Sequence, residues 1–287
     1  MPDGQQYIPP KPDGLLGDIA EYIYEQSPYP NHTIALNASI ALMAAICGRA
    51  YNTYTGAELN LYILLLASTG MGKEAASTGI TKLLKAISTK VPAAMEFMGP
   101  AIVSSAGLLK WLDRFPSILC IIGEFGYKLK AMCSPRAGPN EQLLRAVLLD
   151  LFSKSGAGGV ITPMAYSDKE RNTNVIYSPA FSLLAESTPG IVYEAFNEKT
   201  VSDGLLPRFM VSEVTGKRPI LNENAGTIAA SEDLVQQLAD LSAHALSLAQ
   251  QGKVQPVLIS DQAKEKFREL ERFATLEINS HINEVYR

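Results

Sequence analysis

Apolar residues recur along this chain at two different periods, and the switches between them predict its elements. Leu15, Leu16, Ile19 and Ile23 stand at helical spacing, and the proline-bearing SPYPNH closes that helix. Residues 33–47 are alanine-rich and apolar on nearly every side, which predicts a second, largely buried helix. LNLYILLLAS, residues 59–68, is a short continuous apolar run and reads as a strand buried on both faces. A glycine-bearing turn follows, and AASTGITKLLKAIST continues as a helix. A hydroxyl at Ser104 or Ser105 is placed to cap a further helix that ends at Pro116. Residues 118–122 predict a second buried strand, with Glu124 just past its tip, and residues 141–155 another helix.

The next segment, residues 156–179, reads as a loop followed by hairpin-like strands. PAFSLLAEST predicts a third core strand that ends in Ser187 and Thr188, TPGIVYEAF a short helix, and GLLPRFMVSEV a turn at Gly204 leading into one more strand. Beyond residue 216 the pattern changes. GKRPILNENAGTI has the composition of a linker, and two long amphipathic stretches follow. The last is periodic to Arg287 with no stop signal, so the natural chain is expected to continue past it or this end to be incomplete. Strands alternating with helices predict an α/β fold. We divide it into an arm and helical layer at 1–56, a core at 57–216, and a linker with a helical region at 217–287.

Composition narrows the classes. The 287 residues are 47% hydrophobic and 19% charged, enough apolar content for one large core or two smaller ones. The net charge of -4 gives no global basic surface for nucleic acid, although a local basic lining is compatible with it. Cys47, Cys120 and Cys133 are odd in number and far apart, which argues against a disulfide scaffold and for a reducing, cytoplasmic compartment. The scattered His32, His244 and His281 make no zinc-type spacing with them. The opening residues hold no signal-peptide run, and the longest apolar stretch near them, residues 34–47, is too short to span a bilayer, so no membrane partner is expected.

The turn in LLLASTGMGKEAASTG carries the chemistry. Strand, tight turn and helix is the context of a loop that cradles nucleotide phosphates, here Ala67, Ser68, Thr69, Gly70, Met71, Gly72, Lys73, Glu74 and Ala75. Gly70 and Gly72 supply backbone angles and close approach, the amides form an anion nest at a helix start, and Lys73 is placed to neutralise phosphate oxygens. Two positions depart from the usual pattern. Ala67 stands for the first glycine, and Glu74 stands for the hydroxyl that helps hold Mg²⁺. A carboxylate is also a hard oxygen ligand, so Glu74 remains a candidate metal ligand. On the second strand, IIGEF places Gly123 where such sites carry a metal-steadying acid and Glu124 where they carry the acid that polarises water. Glu74 and Glu124 are therefore the metal candidates, and ATP with Mg²⁺ the expected ligands. A strand–helix turn with a solvated Lys73 is the plain alternative.

NLYILLLASTGMGKE, ILCIIGEFG, SLLAESTPG and VSDGLLPRF, in this order and spacing, resemble the DUF3987 family of phage- and plasmid-borne proteins, related to primase-associated helicases. The resemblance covers roughly residues 12–287. It implies a P-loop NTPase (RecA/AAA+-like) core with helical additions, a homo-oligomer such as a hexameric ring, and action on single-stranded DNA in replication, with a primase or other replication proteins as partners. Lys73 would match the phosphate lysine, Glu124 the catalytic acid, Ser187 or Thr188 the polar sensor, and Arg208 an arginine finger reaching the neighbouring subunit's site. Lys169 and Arg171, in SDKERNTN, are the candidates for a nucleic-acid contact. Three functions stay open: an ATP-dependent DNA helicase or translocase subunit, a nucleotide-binding assembly or regulatory module with little turnover, and a replication initiator or helicase loader.

Overall fold

A computed structural model describes residues 8–195 and 204–280. The start of the expected arm, Phe196 of the predicted short helix, residues 201–203 of VSDGLLPRF and the end of the predicted last helix lie outside the described residues.

The chain enters through two helices, α1 (Leu15–Glu25) and α2 (His32–Cys47). Asn31 starts α2 by accepting hydrogen bonds from the amides of Thr33 and Ile34, which would otherwise be orphaned. A two-residue strand β1 (Tyr51–Asn52) precedes β2 (Tyr62–Leu66), every residue of which is buried. Then come α3 (Glu74–Ser88), α4 (Ser105–Arg114), β3 (Ser117–Ile122), α5 (Phe125–Cys133) and α6 (Pro139–Ser153). Ser104 caps α4 through the amide of Gly107. Two short strands, β4 (Val160–Ile161) and β5 (Ile176–Tyr177), pair antiparallel. The predicted hairpin is thus present but only two residues deep on each side.

β6 (Ala180–Ser187) is buried throughout, α7 (Pro189–Ala195) follows, and β7 (Phe209–Glu213) completes the main sheet. The chain ends in α8 (Glu232–Gln250), β8 (Gln255–Pro256), which pairs with β1, and α9 (Asp261–Ser280).

The main sheet has four parallel strands in the order β3-β6-β2-β7, so β6 and β2 are interior. Burial on both faces explains why these strands read as continuous apolar runs rather than alternating ones. One face packs Ile63, Leu65 and Leu184 against α1, α2, α3 and α8 through Ile23, Leu42, Ile80 and Leu238. The other packs Leu64, Cys120 and Phe181 against α4, α5 and α6 through Leu109, Leu129 and Leu148. The first two helices therefore share a core with the sheet. Because all four strands run parallel, Leu66, Ile122, Ser187 and Glu213 end at one edge. Crevices at the carboxyl edge of a parallel sheet are where α/β proteins place their ligands.

α5 was not among the predicted elements. Its buried residues Phe125, Leu129, Met132 and Cys133 do fall at helical spacing, but the helix is short and opens directly on the turn at Glu124. Among the described residues, no helix is long and apolar enough to cross a membrane.

Candidate functional site

The loop between β2 and α3 sits at that carboxyl edge. Ala67 still behaves as strand: its amide donates to the Ser187 carbonyl at 3.0 Å, and its backbone is not left-handed, so a glycine is not needed there. Gly70 and Gly72 have φ of 81° and 87°, a region that side chains occupy only at a cost. Gly72 is also held by contact, because a Cβ there would collide with the Tyr29 carbonyl oxygen on the α1–α2 connection. The amides of Thr69, Gly70, Gly72, Lys73 and Glu74 meet no acceptor among the described residues, whereas those of Met71, Ala75 and Ala76 are bonded to the preceding turn. Unpaired amides wrapped around the start of a helix form an anion-binding nest, reinforced by the positive end of the helix dipole.

Lys73 caps α3 with its side chain only 10% exposed. Its Nζ lies 3.5 Å from Glu124 Oε1, so the loop of β2 and the tip of β3 meet across the edge even though β6 lies between those strands. Glu124 reaches this place from a left-handed backbone, φ 51° and ψ 35°. Among the described residues, only Ser178 is another non-glycine residue with positive φ. Strained backbone of this kind persists where the surroundings impose it, and it concentrates at working sites.

β6 contributes a residue that the sequence reading left unassigned. Glu186 is 8% exposed, and its Oε1 has no hydrogen-bond partner among the described residues. Its neighbours in register show which way it points. Leu183 and Ala185 face α5 and α6, whereas Leu184 faces α3, so Glu186 projects on the α3 side beneath the loop. Burial pushes its carboxyl up to about 7; Lys73 works against that shift, and Glu74 and Glu124 add to it. The signal was available in SLLAES, an acid inside an otherwise apolar run. The sequence alone does not reveal that this strand is interior and buried at all eight positions.

The other expected residues fall in different places. Glu74 is exposed in the first turn of α3, at the rim of a cleft of about 280 Å³ that Tyr29, Thr78 and Gly226 also line. Ser187 is buried with its Oγ unpartnered among the described residues and pressed toward Gly126 on α5, while Thr188 is half-buried at the strand's exit. Arg208 stands at the amino end of β7, beside Tyr62, whereas the loop leaves the carboxyl end of β2. Its guanidinium donates to the Gly204 carbonyl at 2.5 Å and to Ser153 Oγ at 3.1 Å, so it does not join Lys73 within its own chain. Lys169 and Arg171 form a short turn beyond β4, where Arg171 stacks on Tyr166 at 4.7 Å; this turn contacts α4, on the sheet face opposite α3.

A second cation beside the loop was not anticipated. Arg218, from the linker after β7, stacks on Tyr29 at 4.3 Å, and its guanidinium carbon comes within 3.5 Å of where a Gly70 side chain would begin. No local pattern connects residue 218 to residue 70; only the fold does.

Among the described residues, no three His, Cys, Asp or Glu side chains converge as a self-sufficient metal cage. Magnesium typically takes one or two carboxylates and completes its shell with water and substrate phosphates. The unpartnered Glu186 oxygen and the acid-rich edge fit such an ion; the nest and Lys73 fit the phosphates.

No family model matches the chain, and no curated protein matches it.

Proposed function

We propose that this chain binds a nucleoside triphosphate with Mg²⁺ at residues 67–75 and hydrolyses it, as the ATPase core of a P-loop protein. The observation that carries the reading is the loop itself: Gly70 and Gly72 at positive φ, unpaired amides at the start of α3, and the buried Lys73 within 3.5 Å of Glu124. In this reading the amides and Lys73 hold the β and γ phosphates and offset the charge that moves onto the leaving group. Arg218 lies close enough to Gly70 to add a second positive charge from the same chain. Glu124 orients the attacking water and accepts its proton, and the Lys73 contact holds its carboxylate in place until phosphate takes up the lysine. A bound magnesium ion supplies charge stabilisation at the phosphate oxygens.

What hydrolysis drives rests on the family resemblance: movement of single-stranded DNA by a ring of copies, with Arg208 serving the neighbouring site. That role would require Arg208 to exchange its bonds to Gly204 and Ser153 for the neighbour's phosphate. A binding-only assembly module is the second reading, favoured by Gly123 in place of an acid.

One experiment separates them. ATP turnover is measured with and without single-stranded DNA for the native chain, Lys73→Ala and Glu124→Gln. Turnover that DNA stimulates and both substitutions abolish supports the motor. Tight nucleotide binding without turnover supports the assembly module, and turnover without strand separation favours a loader.

A further inference from the structure

Acidic side chains gather where the strands end beside the loop. Glu74 and Glu124 both act on Glu186 there, and among the described residues Lys73 is the cation that works against them. Lys73 is already engaged with Glu124. Glu186 is left over nine-tenths buried with an unpartnered oxygen. Buried polar atoms are almost always satisfied, so such an oxygen calls for a partner that the described residues do not supply.

Register then links this acid to the one missing at position 123. β3 and β6 pair Ile121 with Leu184 and Ile122 with Ala185, so one step further Gly123 comes level with Glu186. Carrying the strand alternation of Ile121 and Leu184 past the end of β3 turns that level toward the α3 face, and adjacent strands stand about 4.8 Å apart. A side chain built on Gly123 would meet nothing within 4 Å. The acid absent from β3 thus has a counterpart one strand over, buried at the same level of the sheet. On the other flank Glu186 pairs with Leu65, two residues before the loop begins.

We infer that Glu186 is the carboxylate that holds the divalent cation of this site, directly or through water, in place of an acid at Gly123. This rests on the nucleotide reading above. Glu74 is less well placed, because it is exposed at the rim of the neighbouring cleft rather than level with Gly123.

The test uses the full chain and a non-hydrolysable ATP analogue, with affinity measured in Mg²⁺ and in EDTA, and Mn²⁺ binding to the complex followed by paramagnetic resonance. The native chain is expected to bind the analogue tighter with Mg²⁺ than without. Glu186→Gln is nearly isosteric and should keep the EDTA affinity, lose most of the gain from Mg²⁺, and weaken Mn²⁺ roughly tenfold or more. Adding Gly123→Asp to Glu186→Gln should restore the gain, since the space is open. If Glu186→Gln does not fold, Gly123→Asp alone should tighten Mn²⁺ binding, and no change would overturn the inference. An undiminished Mg²⁺ gain in Glu186→Gln also overturns it while leaving the nucleotide reading intact. No analogue binding by the native chain in either buffer overturns both.

Discussion

Glu124 offers a test in which the usual ranking of two residues reverses. In most positions alanine is the better-tolerated replacement, because glycine adds flexibility to the unfolded chain worth about 0.5–1 kcal/mol. At position 124 the backbone sits at φ 51° and ψ 35°, where a residue with a Cβ loses about 1–2 kcal/mol. Alanine keeps that strain and removes the ion pair with Lys73. The pair is 58% exposed on the glutamate side, so its contribution is at most about 1 kcal/mol. Glycine removes both the strain and the pair. The position also precedes α5, where glycine is preferred to alanine, which acts in the same direction. The balance puts Glu124→Gly above Glu124→Ala by about 1 kcal/mol, or about 2 °C in Tm for a domain of this size. Urea and thermal unfolding of the two variants in nucleotide-free buffer read this directly. If the alanine variant is as stable as the glycine variant, position 124 stores no backbone strain, and the argument from that strain to function fails.

Three further outcomes follow from the same geometry. Glu186 titrates near 7 in the fold and near 4.5 when unfolded, so the native state binds the extra proton between those values. Stability in metal-free buffer should therefore be greatest below about pH 4.5, as far as this group is concerned, and fall through pH 7; Glu186→Gln should flatten the slope and stabilise the chain by on the order of 3 kcal/mol at pH 8. Gly72→Ala meets both a left-handed backbone and the Tyr29 carbonyl, so it should lower the unfolding midpoint and abolish nucleotide binding, whereas Gly190→Ala, open on all sides, should do neither. Arg218→Ala should weaken binding of an ATP analogue roughly tenfold, the scale of one charge-assisted contact, and change the melting temperature little because the side chain is exposed.

Much of this arrangement could be read in the sequence because its signals are local. The buried run at 62–66, the glycine pair before Lys73 and the helical periodicity after it lie within one stretch, and the structure assembles them as strand, turn and helix. The tolerance of Ala67 was legible for the same reason, since it continues the strand. α5 was missed because the left-handed Glu124 separates it so sharply from β3. Glu186 and Arg218 were missed for a different reason. Each matters through a neighbour more than a hundred residues away in sequence, by strand order in one case and by the return of a linker over the loop in the other. Arg208 is a separate case. The resemblance assigns it to a neighbouring subunit's site, and parallel pairing of Phe209 with Tyr62 places it at the other end of the sheet from its own chain's Lys73.

The central claim is that residues 67–75 hold a triphosphate, and calorimetric titration of the native chain with a non-hydrolysable ATP analogue in Mg²⁺ tests it most directly. Saturable binding at one site per chain is expected, with affinity at least roughly tenfold weaker in a folded Lys73→Ala variant, whose lost charge-assisted contact is on the scale of about 1.5–3 kcal/mol. No binding by the native chain, or equal binding by Lys73→Ala, would contradict it.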